Sequence, residues 1–175
     1  MANYRDSQGF WDRIRDWTDQ SFQRAGVFSR KERDASLAMS MVGNVTEGSA
    51  GNALTIADGS LADRMPLVAR TLEAVKPGVV VTMDKRLTPL LEKALEDMQW
   101  SKGECGTTEV PARNQRFSYY RPAWSEYRSD VRRLIVCESP QHPSRSNFYD
   151  PSDMDRYLSN MIRRSLGEMA AAGIR

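Results

Sequence analysis

The feature that most constrains the fold is a helix, a β-branched run and a second helix in immediate succession. Residues 61–76, "LADRMPLVARTLEAVK", carry Leu61, Met65, Val68, Leu72 and Val75 at helical spacing. Ser60 caps this helix, and Pro66 either kinks it or moves its start to about residue 65. Lys76-Pro77-Gly78 ends it. "VVVTM" (79–83) follows without polar alternation, the pattern of a short strand buried on both faces. Thr88-Pro89 then opens "PLLEKALEDMQW", with proline at the first helical position. Elements in this order bury their apolar faces by packing helices on a sheet, which makes an α/β fold.

The rest of the chain fits that class. Phe10, Ile14, Trp17 and Phe22 recur at helical spacing within residues 10–24, and Gly26 is a stop signal. Ser29 and Glu32 form a capping-box pattern for a short second helix. Residues 41–45 either finish that helix or form a buried strand, and periodicity does not decide between them. Residues 47–60 and 101–115 are loop-like in composition. "RFSYYRPAW" (116–124) has strand composition broken at Pro122, and "RRLIVCES" (132–139) is a second buried strand. Asp150-Pro151 starts a last helix, with Met154, Tyr157, Leu158, Met161, Ile162, Leu166 and Met169 on one face and Gly173 as its close. No repeat, low-complexity tract or linker interrupts the sequence, so residues 1–175 read as a single α/β domain.

Composition narrows the function classes. No apolar run reaches the roughly 18–20 residues of a membrane span, and the first residues lack a signal-peptide core. The expectation is a cytoplasmic protein with no membrane partner. Cys105 and Cys137 are two cysteines, too few for a disulfide scaffold, and read as reduced thiols. With His142 as the one histidine, a closed zinc site lacks ligands unless a carboxylate joins. No metal or cofactor is expected. A net charge of +2 permits nucleic-acid binding without arguing for it.

In an α/β sheet, ligands gather where loops leave the carboxyl ends of strands. Three loops qualify: 44–60, 84–88 and 138–150. The last holds His142, Ser144, Arg145, Ser146 and Asn147 among stiffening prolines. Small hydroxyls and an arginine suit phosphate contact, and His142 suits stabilisation of developing charge. The plainer reading is a surface turn with a helix cap. Seven arginines between 113 and 145, Arg116 and Arg121 among them, face three acidic residues. Tyr119, Tyr120, Trp124 and Tyr127 interleave with them, as in surfaces that stack bases and hold phosphates together. The plainer reading here is a solvated face of a strand and helix. Trp11, Trp17 and Phe22 read as core, or as a partner surface covering a sheet edge. Cys137, inside a strand, reads as a buried core thiol rather than a nucleophile paired with His142.

"HPSRSN" (142–147) resembles the closing motif of the uracil-DNA glycosylase superfamily, in which a His-Pro-Ser stretch follows the last core strand. "GFWDRIRDW" is similar to that family's Phe-Trp helix, "MVGNVTE" to the strand end that carries a base-reading residue, and "TLEAVKPGVVVTMDKRLTPLLEKAL" to its helix, Lys-Pro, strand and helix. The likeness spans roughly residues 9–165 in the family's order. It implies a three-layer α/β sandwich with a small, mostly parallel sheet, and a DNA-binding protein that recognises or excises a damaged or modified base. His142 would contact the base carbonyl and stabilise the departing anion. Asn44 matches the base-reading position. Ser144, Arg145, Ser146 and Asn147 would press on the strand from which a base is flipped, with Arg116, Arg121 and Tyr120 as further nucleic-acid contacts. Two departures qualify the likeness. The family's first motif, a strand and water-positioning loop, has no match in residues 1–9, and Met83-Asp84 stand where the family has a glycine. The expected site is therefore degenerate. The alternative is a non-catalytic scaffold or assembly protein that reuses the fold, with a protein partner on the N-terminal aromatic helix.

Overall fold

Helix α1 (Met65–Val75) begins where Pro66 permits, with the proline in the first turn, where its missing N–H has no intrahelical partner to lose. It ends at Lys76, whose backbone turns left-handed (φ 57) and whose N–H bonds Leu72 O at 2.9 Å. The computed structural model describes residues 16–17, 20–25, 62–83, 85–111, 119–130, 132–140 and 151–167. After α1 come strand β1 (Val79–Thr82), helix α2 (Leu87–Asp97), and strands β2 (Ser101–Thr107), β3 (Val110–Pro111), β4 (Tyr119–Tyr120), β5 (Ala123–Ser129) and β6 (Arg132–Glu138). Helix α3 (Pro151–Ser165) follows. Among the described residues no helix is long and apolar enough to cross a membrane.

The sheet runs β1-β6-β5-β2, and β3 pairs with β4 in a separate ribbon. Only β1 and β6 are parallel; β6 with β5, and β5 with β2, are antiparallel. The expectation of a mostly parallel sheet is thus corrected to a mixed one. The cause is local: β5 and β6 are joined through residues 130–131, with Ser129 opposite Arg132, and so short a connection forces antiparallel pairing. Two further corrections concern strands. β1 ends the four-stranded order and is only half-buried along most of its length. Residues 101–107, read as loop, form β2, an almost wholly exposed strand of Ser, Lys, Gly, Glu, Cys and Thr. Helix α2 starts two residues before Pro89, and α3 stops at Ser165, where Gly167 (φ 81) turns the chain rather than Gly173.

Strand alternation divides the core between the two faces of the sheet. Leu134 and Val136 of β6 join Tyr127 of β5, Trp100, Met65 and Ala69 of α1, and Leu91 and Leu95 of α2. Ile135 and Cys137 join Trp124, Val110, and Met154, Tyr157, Leu158 and Met161 of α3. Trp17 packs against this second cluster, and Arg163 of α3 donates to Arg24 O at 2.8 Å. The N-terminal helical residues 20–25 are therefore tied to the α3 face, and Trp17 contributes to the core as the sequence suggests. Leu166 lies past the end of α3 and is exposed.

The same alternation sends the two arginines that open β6 to opposite faces. Arg132 donates to Leu72 O at the end of α1 (2.9 Å) and lies over the Trp100 ring, 4.7 Å from its centre. Arg133 donates to Arg164 O at the end of α3 (3.1 Å) and pairs with the buried Glu126 carboxylate at 3.2 Å. Each adds a side-chain donor to a carbonyl in the last turn of a helix that also accepts a backbone N–H, from Lys76 and Gly167 respectively. Arg128 also pairs with Glu126, and Arg164 stacks on Trp124 while bonding Glu104.

Candidate functional site

β1 and β6 run side by side in register, Val79 opposite Ile135 through to Thr82 opposite Glu138. Their carboxyl ends therefore form one rim, beyond which lie the turn residues Lys85 and Arg86 on one side and Ser139 and Pro140 on the other. Hydrogen bonds fasten that rim. The Thr82 hydroxyl donates to Cys137 O at 3.3 Å and lies 2.6 Å from the Thr88 hydroxyl, both threonines being buried. Ser139 N–H donates to Thr82 O at 2.8 Å. The end of β1 and the start of α2 are thus held together on either side of Lys85 and Arg86. Glu138 fixes two more elements: its carboxylate accepts from Ala123 N–H at 3.1 Å, and its carbonyl accepts from the Tyr157 hydroxyl at 2.9 Å.

Over this rim lies the β3-β4 ribbon, with Val110 opposite Tyr120. The ammonium of Lys85, in the turn just before α2, sits over the Tyr120 ring, 4.2 Å from its centre. Among the described residues no carboxylate pairs with Lys85, and the buried Tyr120 hydroxyl has no hydrogen-bond partner. Lys93 and Lys102, by contrast, sit on Asp97 and Glu92 at 3.2 and 3.0 Å. Beside the ribbon, a pocket between Glu109 and Pro111 on one side and Asp153 and Asn160 of α3 on the other has a volume of about 40 Å³. It admits a few waters and no nucleobase.

Acid–base chemistry beneath the rim is suppressed. Burial pushes the Cys137 thiol up to about 12, so it stays protonated and inert. Burial also raises Tyr157 and Tyr127, each kept neutral by its surroundings. No group of three or more His, Cys, Asp or Glu side chains suited to a metal ion occurs among the described residues.

Of the residues nominated from sequence, Tyr120 stands at the rim. Arg121 is held in an exposed ion pair with Glu109. Asn44, Arg116, His142, Ser144, Arg145, Ser146 and Asn147 lie outside the described residues. The described chain leads toward the last five, since Glu138, Ser139 and Pro140 leave the rim immediately before them. Sequence reasoning singled out the 84–88 loop but not Lys85 within it; the available signal was its place just beyond a strand's carboxyl end. No protein-family model, curated protein or solved structure matches the chain.

Proposed function

We propose that this protein binds DNA across the rim formed by β1 and β6, where the His142–Asn147 loop recognises or excises a damaged or modified base. One observation carries the reading. The parallel pair ends in register at Thr82 and Glu138, the crevice position at which α/β sheets take ligands. Helices on both faces of the sheet support a glycosylase-like sandwich. In this reading His142 contacts the base carbonyl, Asn44 reads the base, and Ser144, Arg145, Ser146 and Asn147 hold the strand around a flipped nucleotide. Reduced thiols in a cytoplasmic setting belong to the same proposal.

The test is a gel-shift and base-release assay on single- and double-stranded oligonucleotides with uracil, hypoxanthine or no lesion. Release by the wild type and none by His142→Ala supports a glycosylase. A salt-sensitive shift without release supports recognition alone. Neither shift nor release overturns both. A second reading, a non-catalytic scaffold, is favoured by a separate observation: Arg121, Arg128, Arg132 and Arg133 are all engaged within the molecule. It expects a stable complex or oligomer by light scattering, and a monomer that captures no partner counts against it.

A further inference from the structure

Resting on the DNA-binding reading, we infer that Lys85 is a backbone-phosphate contact of this protein and that Tyr120 is the residue that positions it. Lys85 lies between Thr82 and Thr88 in sequence, and those two buried hydroxyls are 2.6 Å apart, with Thr82 also bonded to Cys137 O, so the strand end and helix start on either side of it are held together at the rim. Its ammonium rests on an aromatic face at 4.2 Å. A ring quadrupole attracts a cation without cancelling its charge, whereas a carboxylate removes most of its field. Lys93 and Lys102 show the neutralised arrangement. Lys85 is thus both held and electrostatically available. The Tyr120 hydroxyl is buried without a partner among the described residues, so what Tyr120 offers Lys85 is its ring. The ring's upper face is covered by the ammonium, so Tyr120 acts through Lys85 rather than by stacking a base. Arg121, next in sequence, is bound to Glu109 and does not duplicate this role.

The experiment measures affinity for a fluorescent single-stranded oligonucleotide and its duplex by anisotropy across a salt series. Each phosphate contact contributes roughly 0.7 (single strand) or 0.9 (duplex) to the slope of log affinity against log salt. Lys85→Ala is expected to lower the slope by about that amount, and Lys85→Arg to retain it. Lys93→Ala removes an equal charge and is expected to leave the slope at the wild-type value. Tyr120→Phe keeps the ring and the slope, while Tyr120→Leu lowers the slope with the charge count unchanged; thermal midpoints verify that both variants are folded. A wild-type slope in Lys85→Ala overturns the phosphate contact while leaving DNA binding standing. A wild-type slope in folded Tyr120→Leu overturns the positioning role. No affinity of the wild type for either oligonucleotide at low salt overturns the DNA-binding reading itself, and this inference with it.

Discussion

The two ends of β6 treat charge in opposite ways. At the amino end, Arg132 and Arg133 turn inward to the last carbonyls of α1 and α3, and Arg133 also meets the buried Glu126. At the carboxyl end, Glu138 is engaged by Ala123 N–H and Tyr157, while Lys85 across the rim keeps an unneutralised charge over Tyr120. Three arginines of the basic run, at 128, 132 and 133, therefore close the structure. One lysine outside that run, Lys85, has no carboxylate partner among the described residues. Counting charges along a segment does not separate these cases. Strand alternation and register do, because they decide which face and which end each side chain reaches.

The contrast breaks most visibly at Arg133. Arg133→Ala leaves Glu126 with Arg128 alone and removes a bond to the end of α3. A loss of about 3 kcal/mol in urea-denaturation stability is expected, and Arg133→Lys restores only part of it because one ammonium cannot reproduce the guanidinium fork. An unchanged stability would remove the closing role of the amino end.

The next effect tests the inert interior between the two ends. The folded Cys137 pKa is raised to about 12 from 9.0, so above pH 9 the unfolded chain releases a proton that the folded chain retains. Stability is full below that pH and falls as pH rises toward 12. Tyr127 and Tyr157 act in the same direction. Cys137→Ala is expected to flatten the decline measured by urea melts at stepped pH. Thiol labelling at pH 8 is expected to modify exposed Cys105 and spare Cys137 until the protein is unfolded.

Smaller still is Arg132→Ala, which loses one helix-end hydrogen bond and a stack on Trp100. About 1–2 kcal/mol is expected in the same melts. At the other end of the comparison, Lys85→Ala is expected to stay within about 0.5 kcal/mol of wild type while changing DNA affinity. A large stability loss there would make Lys85 a structural residue and erase the contrast between the ends.

Much of the frame was legible in the residues. "VVVTM" and "LIVC" could satisfy their apolar content only inside a layered fold, and Pro66, Pro77-Gly78 and Pro151 marked helix ends by backbone chemistry alone. β2 was not legible because an edge strand faces solvent along most of its length, so selection for apolar alternation is absent from it. The sheet's mixed direction was not legible either, since a two-residue connection and a break in "SDVRRL" look alike before pairing is known. Of the candidate site, Tyr120 could be found from its neighbours, but Lys85 acquires meaning only when β4 is folded over the turn after β1.

The irregular register of β2 has a consequence for the behaviour of many molecules together. Between Lys102 and Cys105 the strand carries an extra residue relative to β5. Its outer edge therefore lacks the even spacing of amide and carbonyl groups that a second chain would need in order to zip onto it. One misaligned step thus makes the exposed β2 edge a poor template for pairing with a second chain.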